Sequence, residues 1–308
     1  MGSLLRSRLF WGSLAGLALA AAFPLVGGPY TIGVLIPAFY FAVFAMSWDL
    51  LFGFAGEVNF GPTFLIGLGA YGAGIVDARY GLGVPLSVAF GTALAVAGGV
   101  ALALPALRLS GPYFGLVTLV AVLLLQQMVT VFADVSGGEI GLSLPDVLSI
   151  DDATNYYFAL GFMALSGAAL FALSRSPAGL ILQACGQDPV EAQALGFNVA
   201  KHKLAAFVVS AFFSGLAGAL LVFYYGTASP GTFIDIAVGV QIIIAAVLGG
   251  RRTIVGAVLG AVFLVVAGEV LRPLGQMSTF AVSAVALAVI LLAPAGFLGT
   301  LLFRRGAA

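Results

Sequence analysis

The sequence predicts an all-α, polytopic bundle of transmembrane helices, and three observations lead to that fold class. Of its 308 residues, 62% are hydrophobic and 8% are charged, whereas soluble domains are about half apolar and about a quarter charged. Long apolar segments recur along the whole chain. Basic residues collect in alternate connecting segments, as the positive-inside rule describes. We therefore expect a single transmembrane domain over 1–308.

Ten segments have the length and apolar character of membrane spans, because about 20 apolar residues cross a bilayer as a helix. The first could also be a signal peptide, since two arginines precede an apolar run. We favour a retained helix because the rest of the chain is also membrane-embedded. The ten segments are 9–26, 31–52, 60–79, 84–104, 112–133, 155–174, 203–225, 236–250, 253–272 and 277–298.

The charged residues predict the orientation of these helices. With the N-terminus inside, ten of the twelve lysines and arginines fall in cytoplasmic segments, and only Arg79 and Arg272 fall outside. Both termini are then cytoplasmic, in a multi-pass protein of the plasma (inner) membrane. An acidic loop at 134–155 is external, and a long loop at 175–203 is cytoplasmic. The cytoplasmic basic residues are Arg6, Arg8, Arg108, Arg175, Lys201, Lys203, Arg251, Arg252, Arg304 and Arg305.

Several kinds of site are disfavoured by the residues that the chain contains. Its formal net charge is zero, so electrostatics give no reason to expect a nucleic-acid partner. Cys185 is the one cysteine and His202 the one histidine, which speaks against a metal site. The phosphate-binding pattern G-x-x-x-x-G-K-[ST] does not occur. We expect no cofactor in this chain.

The cytoplasmic loop at 175–203 contains the pattern of a short capped helix. Asp188 suits the N-cap, Pro189 the first turn and Glu191 the third position of a capping box, while Gly196 suits the C-terminal stop. The helix is either a connector or a docking element for a cytoplasmic partner. The docking hypothesis assigns that contact to Asp188, Pro189, Glu191, Ala192, Ala194, Leu195 and Gly196.

Polar side chains within or beside the apolar segments are candidates for a translocation pathway, because such groups at membrane depth are costly unless they face a cavity or a partner. Two alternatives stay open: the carboxylates could be solvated at the cytoplasmic interface, and the glutamines could only bridge helices. The candidates are Asp49, Glu57, Asn59, Gln126, Gln127 and Gln241.

A weak internal symmetry predicts an inverted repeat that relates predicted helices 2–5 to helices 7–10. In each half a glycine-rich break, at 53–62 in the first and at 226–235 in the second, lies between two apolar segments. Interrupted helices in inverted repeats are common in transporters and flank the substrate pathway.

Seven stretches from the second helix to the C-terminus resemble a known family. In order they are WDLLFGFAGEVNFGPTFLIGLGAY, GPYFGLVTLVA, SGGEIGL, SPAG, EAQALGFNVAKHKLAAFVVSAFFSGLAGAL, LGGRRTIVGAVLGA and PAGFLG. Together they are similar to the branched-chain amino-acid permeases of ATP-binding-cassette (ABC) importers, of the LivM type more than the LivH type.

The resemblance implies a non-enzymatic permease subunit that takes up branched-chain or hydrophobic amino acids by alternating access. It also implies a LivH-like second permease, two cytoplasmic ATPases that hold ATP and Mg, an external solute-binding protein and surrounding membrane lipid. The segment around 191–196 would be the coupling helix that seats in an ATPase.

The residues leave alternative functions open. Glu57 stands where the family usually has a glutamine, so an added acid near the pathway could favour a short amide or urea. A carrier from another class would use Asp49 or Glu57 for ion coupling. An intramembrane enzyme is disfavoured because motifs such as H-E-x-x-H and G-x-S-x-G are missing.

Overall fold

The computed structural model describes residues 2–107 and 112–275, with six single positions after them. Nine of the ten predicted spans are helical there, and the tenth, 277–298, lies outside the continuously described residues. The long helices are α1 (Gly2–Ala22), α2 (Pro29–Asp49), α3 (Pro62–Tyr80), α4 (Gly83–Ala106), α5 (Pro112–Val131), α7 (Asp152–Arg175), α10 (Val199–Tyr225), α12 (Ile236–Gly249) and α13 (Val255–Leu271).

Four shorter helices lie in the connections between the long ones. They are α6 (Ala133–Ser136), α8 (Pro177–Gln187), α9 (Pro189–Ala194) and α11 (Pro230–Phe233). In the described part of the chain, six helical segments are long and apolar enough to cross a membrane by length and composition. The predicted class, a polytopic helical bundle, is confirmed, whereas the count of ten spans and the inverted repeat stay predictions.

The centre of the bundle is formed by α2, α3 and α10, whose contacts depend on small side chains. A Cβ at Gly69 of α3 would lie 2.8 Å from the Cα of Gly215 on α10. Close backbone approach of this kind is how helices associate in lipid, where hydrophobic attraction between them is absent. The core that results includes Tyr40, Met46, Ile66, Phe207 and Phe223, all fully or almost fully buried.

The connections gather at two opposite ends of the bundle, as an alternating topology requires. At one end, the loop at 134–155 meets the second break, because β1 (Leu142–Ser143) pairs antiparallel with β2 (Thr227–Ala228). Arg79 also donates a hydrogen bond to the Asp134 carbonyl there. At the other end, the first break, the loop at 175–203 and the turn at 250–254 contact one another. Which end faces the cytoplasm stays a prediction.

Both predicted breaks leave the regular α-helix. After α2 the chain forms one π-helical turn, Leu50–Phe54, and then an irregular segment that ends at α3. After α10 it passes Gly226, at a φ of +66°, and then β2 and α11 before α12 begins. π-Turns inside helices occur often at functional sites.

Candidate functional site

The first break is mostly buried in protein, and hydrogen bonds to α2 and α5 hold it on two sides. The Trp48 indole donates a hydrogen bond of 2.7 Å to the Asn59 carbonyl, and the Asn59 side chain accepts one of 2.8 Å from the Gly61 amide. The Phe60 amide donates to the Thr118 hydroxyl of α5 at 3.0 Å. Irregular backbone within a membrane protein is tolerated where protein satisfies its polar groups, and these bonds do so here.

Asp49, at the end of α2, is 1% exposed and holds the turn between α12 and α13. Its carboxylate accepts hydrogen bonds from the backbone amides of Arg252, Thr253 and Ile254, at 3.0, 3.2 and 3.1 Å. Arg252 and Ile254 have positive φ angles of 65° and 41°, which are costly for these residues. The carboxylate is therefore a cap for a strained turn, and it is not solvated at an interface.

Glu57 forms a largely buried ion pair with Lys203 in the first turns of α10. The Lys203 Nζ lies 2.6 Å from the Glu57 Oε1, and the two side chains are 15% and 10% exposed. The pair joins residues 146 positions apart in sequence. The negative charge of Glu57 is thus neutralised by a cation near the N-terminal end of α10.

The loop at 175–203 contains two consecutive helices that begin with the same capping pattern. Ser176 caps α8 by accepting a hydrogen bond from the Gly179 amide, and Asp188 caps α9 by accepting from the amides of Val190 and Glu191. A proline follows each cap directly. The α9 helix was predicted; α8 was not, although Ser176-Pro177 carries the same N-cap and N1 signal.

The two faces of α9 differ in their surroundings. Ala192 is 2% exposed and packs in a small cluster with the buried Cys185 of α8 and Val199 of α10. The opposite face leaves Val190 and Leu195 about three-quarters exposed, with Ala194 exposed beside them. Gly196 ends the helix at a φ of +89°. The helix is thus held on one side and offers a small apolar surface on the other.

Burial raises the pKa of the Cys185 thiol, which lowers its thiolate fraction and its reactivity at neutral pH. The native cysteine is therefore a poor target for thiol reagents, which leaves the chain suitable for cysteine labelling at introduced positions.

The loop at 175–203 touches the first break through backbone. A Cβ at Gly56 would lie 2.6 Å from the carbonyl oxygen of Gly186, near the end of α8, and a Cβ at Gly186 would lie 2.7 Å from the carbonyl carbon of Ala55. Real Cβ atoms do not approach so closely, so both positions require glycine in this packing. Movement of α8 and α9 would reach the break directly through this contact and the Glu57–Lys203 pair.

The three glutamines lie away from this cluster. Gln126 is half-buried in α5, whereas Gln127 and Gln241 are exposed on α5 and α12. Both helices flank α3, since a Cβ at Gly67 of α3 would lie 3.1 Å from the side chain of Leu125 on α5, and a Cβ at Gly239 of α12 would lie 3.5 Å from Thr63 of α3. The structure thus does not bring the six predicted pathway residues into one site. It places three at the first break and three on the outer helices.

Comparison with known proteins gives consistent matches. Residues 30–294 match the family described as "Branched-chain amino acid transport system / permease component". The LivM permease protein of the Escherichia coli high-affinity branched-chain amino acid transport system is 27% identical over 96% of this chain and 76% of its own length. BraD of Pseudomonas aeruginosa is 37% identical over 36% of this chain and 35% of its own, and E. coli LivH is 34% identical over 45% and 44%. No solved structure matches the chain.

Proposed function

Since this chain belongs to the family of branched-chain amino acid transport permease components, we propose that it is the membrane-spanning permease subunit of an ABC importer for branched-chain or other hydrophobic amino acids. The coupling role is supported by the geometry of α9. The helix is capped by Asp188, its Ala192 side packs against the rest of the protein, and its opposite, apolar side is exposed. An amphipathic helix with such a face suits a groove on another protein. That protein is a cytoplasmic ATPase, which binds ATP and Mg.

The contacts of the loop at 175–203 would transmit movement of the ATPases to the pathway. When the ATPases close on ATP, α9 moves with them, and α8 moves with α9 because both share the Cys185 cluster. The backbone contact between Gly186 and Gly56, together with the Lys203–Glu57 pair, passes the displacement to the first break. The break connects α2 and α3 in the core of the bundle. Its displacement would therefore switch the pathway between the inward-facing and outward-facing states.

The second permease covers the outer helices in this proposal. The α5 helix exposes Leu116, Val120 and Leu124 in the isolated chain, as a lipid-facing helix would. Gln127 on the same helix and Gln241 on α12 are exposed with them, and amide groups facing lipid are unfavourable. A LivH-like partner packed across α5 and α12 would satisfy both, and the solute would pass between the two permeases after delivery by an external binding protein.

The bonding of the two carboxylates favours the amino-acid importer over its alternatives. An amide or urea substrate was suggested by the extra acid at Glu57, which Lys203 neutralises. An ion-coupled carrier needs a carboxylate free to bind and release an ion, whereas Asp49 accepts three backbone hydrogen bonds.

The proposal is tested by Ala194→Arg in the assembled importer. The arginine adds bulk to the exposed face of α9 without entering the Ala192 cluster, so we expect the ATPases to dissociate and ATP-driven uptake to fall more than tenfold. Ala178→Arg is the matched control, because Ala178 is an exposed alanine on α8 of the same loop. Normal uptake and full retention of the ATPases in Ala194→Arg would rule out α9 as the coupling element.

A further inference from the structure

A cavity of about 210 Å³ opens beside the loop at 175–203, where the end of α7, the side of α8, the π-turn and the turn at 250–254 meet. Its polar lining includes Arg175, Arg252 and Gln183, and none of its lining residues is acidic. The volume admits several water molecules or one small polar group. Two arginines from separate elements thus line one cavity, and no carboxylate lines it with them.

The positive charge of Arg252 is fixed in position. Its backbone amide donates to Asp49, and its Nε donates to the Gly53 carbonyl at 2.7 Å, so the guanidinium orientation is set before any ligand arrives. The Arg175 guanidinium carbon lies 5.2 Å from the centre of the Phe171 ring. Among the described residues, neither arginine forms an ion pair within 4 Å. Planar, preorganised guanidinium groups bind phosphate through paired hydrogen bonds.

The same cavity is continuous with an apolar surface on the outside of the bundle. Phe171 and Leu180 line the cavity and are exposed by 39% and 59%. Further along α7, Leu165 is 74% exposed and Phe158 44%. A basic cavity at the end of an exposed apolar helix face has the two parts that a phospholipid needs, one for its phosphate and one for an acyl chain.

We propose that this cavity binds the headgroup of an anionic phospholipid, with its phosphate between Arg175 and Arg252 and an acyl chain along the exposed face of α7. Basic pockets between transmembrane helices on the cytoplasmic side take anionic headgroups, and this end of the bundle is the one that the charge distribution predicts to be cytoplasmic. The lipid joins α8, in the loop at 175–203, to α7 and the π-turn, which α8 contacts in the bundle. The site is independent of which solute the importer carries.

The experiment measures lipid binding to the purified importer complex. Complexes in neutral detergent are titrated with dioctanoyl phosphatidylglycerol, and bound lipid is counted by native mass spectrometry; dioctanoyl phosphatidylcholine and inorganic phosphate are run in parallel. We expect Arg175→Gln to weaken phosphatidylglycerol binding about fivefold, the effect of one basic residue near an anionic membrane surface. Gln183→Glu, which keeps both arginines and adds a carboxylate, should weaken it at least as much.

Arg251→Gln is the control, since Arg251 is next to Arg252 in sequence but stacks on Phe52, 4.3 Å from the ring centre, and does not line the cavity. It should bind phosphatidylglycerol as the wild type does. Elution of each variant complex as an intact assembly checks folding. Equal losses in Arg251→Gln, or no loss in Arg175→Gln and Gln183→Glu, would overturn the proposal. So would equal binding of phosphatidylcholine, or displacement of the lipid by low-millimolar inorganic phosphate, which would indicate a free-phosphate site.

Discussion

The ion pair between Glu57 and Lys203 predicts a specific pattern of stabilities. Lys203→Met keeps the length of the side chain but leaves the Glu57 carboxylate buried without its cation. Removing one partner of a buried pair costs about 3–5 kcal/mol, and we expect the lower end, about 3 kcal/mol, because the Glu57 side chain is 10% exposed and can recruit water. Glu57→Gln retains a hydrogen-bond acceptor for the ammonium and should cost about 1 kcal/mol.

The double variant, Lys203→Met with Glu57→Gln, removes both charges. Its free energy of unfolding should fall by about 2 kcal/mol, which is about 2 kcal/mol less than the sum of the two single losses. Trp48 is a suitable reporter because its indole is 2% exposed, lies against Phe52 and bonds to the break itself. Denaturant titration of the detergent-solubilised protein, followed by tryptophan fluorescence, gives the four free energies of unfolding. If the loss of the double variant equals the sum of the two single losses within about 0.5 kcal/mol, the two groups do not interact. The proposed connection between the break and α10 would then be refuted.

Three further predictions concern orientation, packing and the strained turn. A cysteine at Asp146 should react with an impermeant maleimide added to intact cells and one at Gln187 should not; the reverse pattern would invert the predicted topology. Gly186→Ala should lower stability by about 1–3 kcal/mol through overpacking and reduce solute-stimulated ATP hydrolysis, whereas Gly161→Ala, at a site with no atom within 4 Å of the added Cβ, should change neither. Asp49→Asn should lower the free energy of unfolding by about 1–3 kcal/mol, because an amide nitrogen cannot accept the backbone bonds, while uptake per folded complex persists; lost proton-dependent uptake in a stable Asp49→Asn complex would restore the ion-coupling role.

The sequence by itself determined the features that depend on local chemistry. Span lengths follow from apolar runs, and nine predicted spans are helices with boundaries shifted by a few residues. The α9 helix was predictable because Asp188 and Gly196 act on backbone groups within a few residues of themselves. The α8 helix carried the same signal at Ser176 and could have been found from it.

Only the tertiary structure decided what the buried polar groups do. Asp49 and Glu57 look alike in the sequence as carboxylates at the end of an apolar run, and their partners, Arg252 to Ile254 and Lys203, lie about 200 and 146 residues away. The contact of Gly56 with Gly186 and the pairing of β1 with β2 also join residues that are far apart in sequence. Hydrophobic periodicity and capping depend on residues within one or two helical turns of each other. These contacts depend instead on how whole helices pack. The partner of each charged group could therefore be identified only from the tertiary structure.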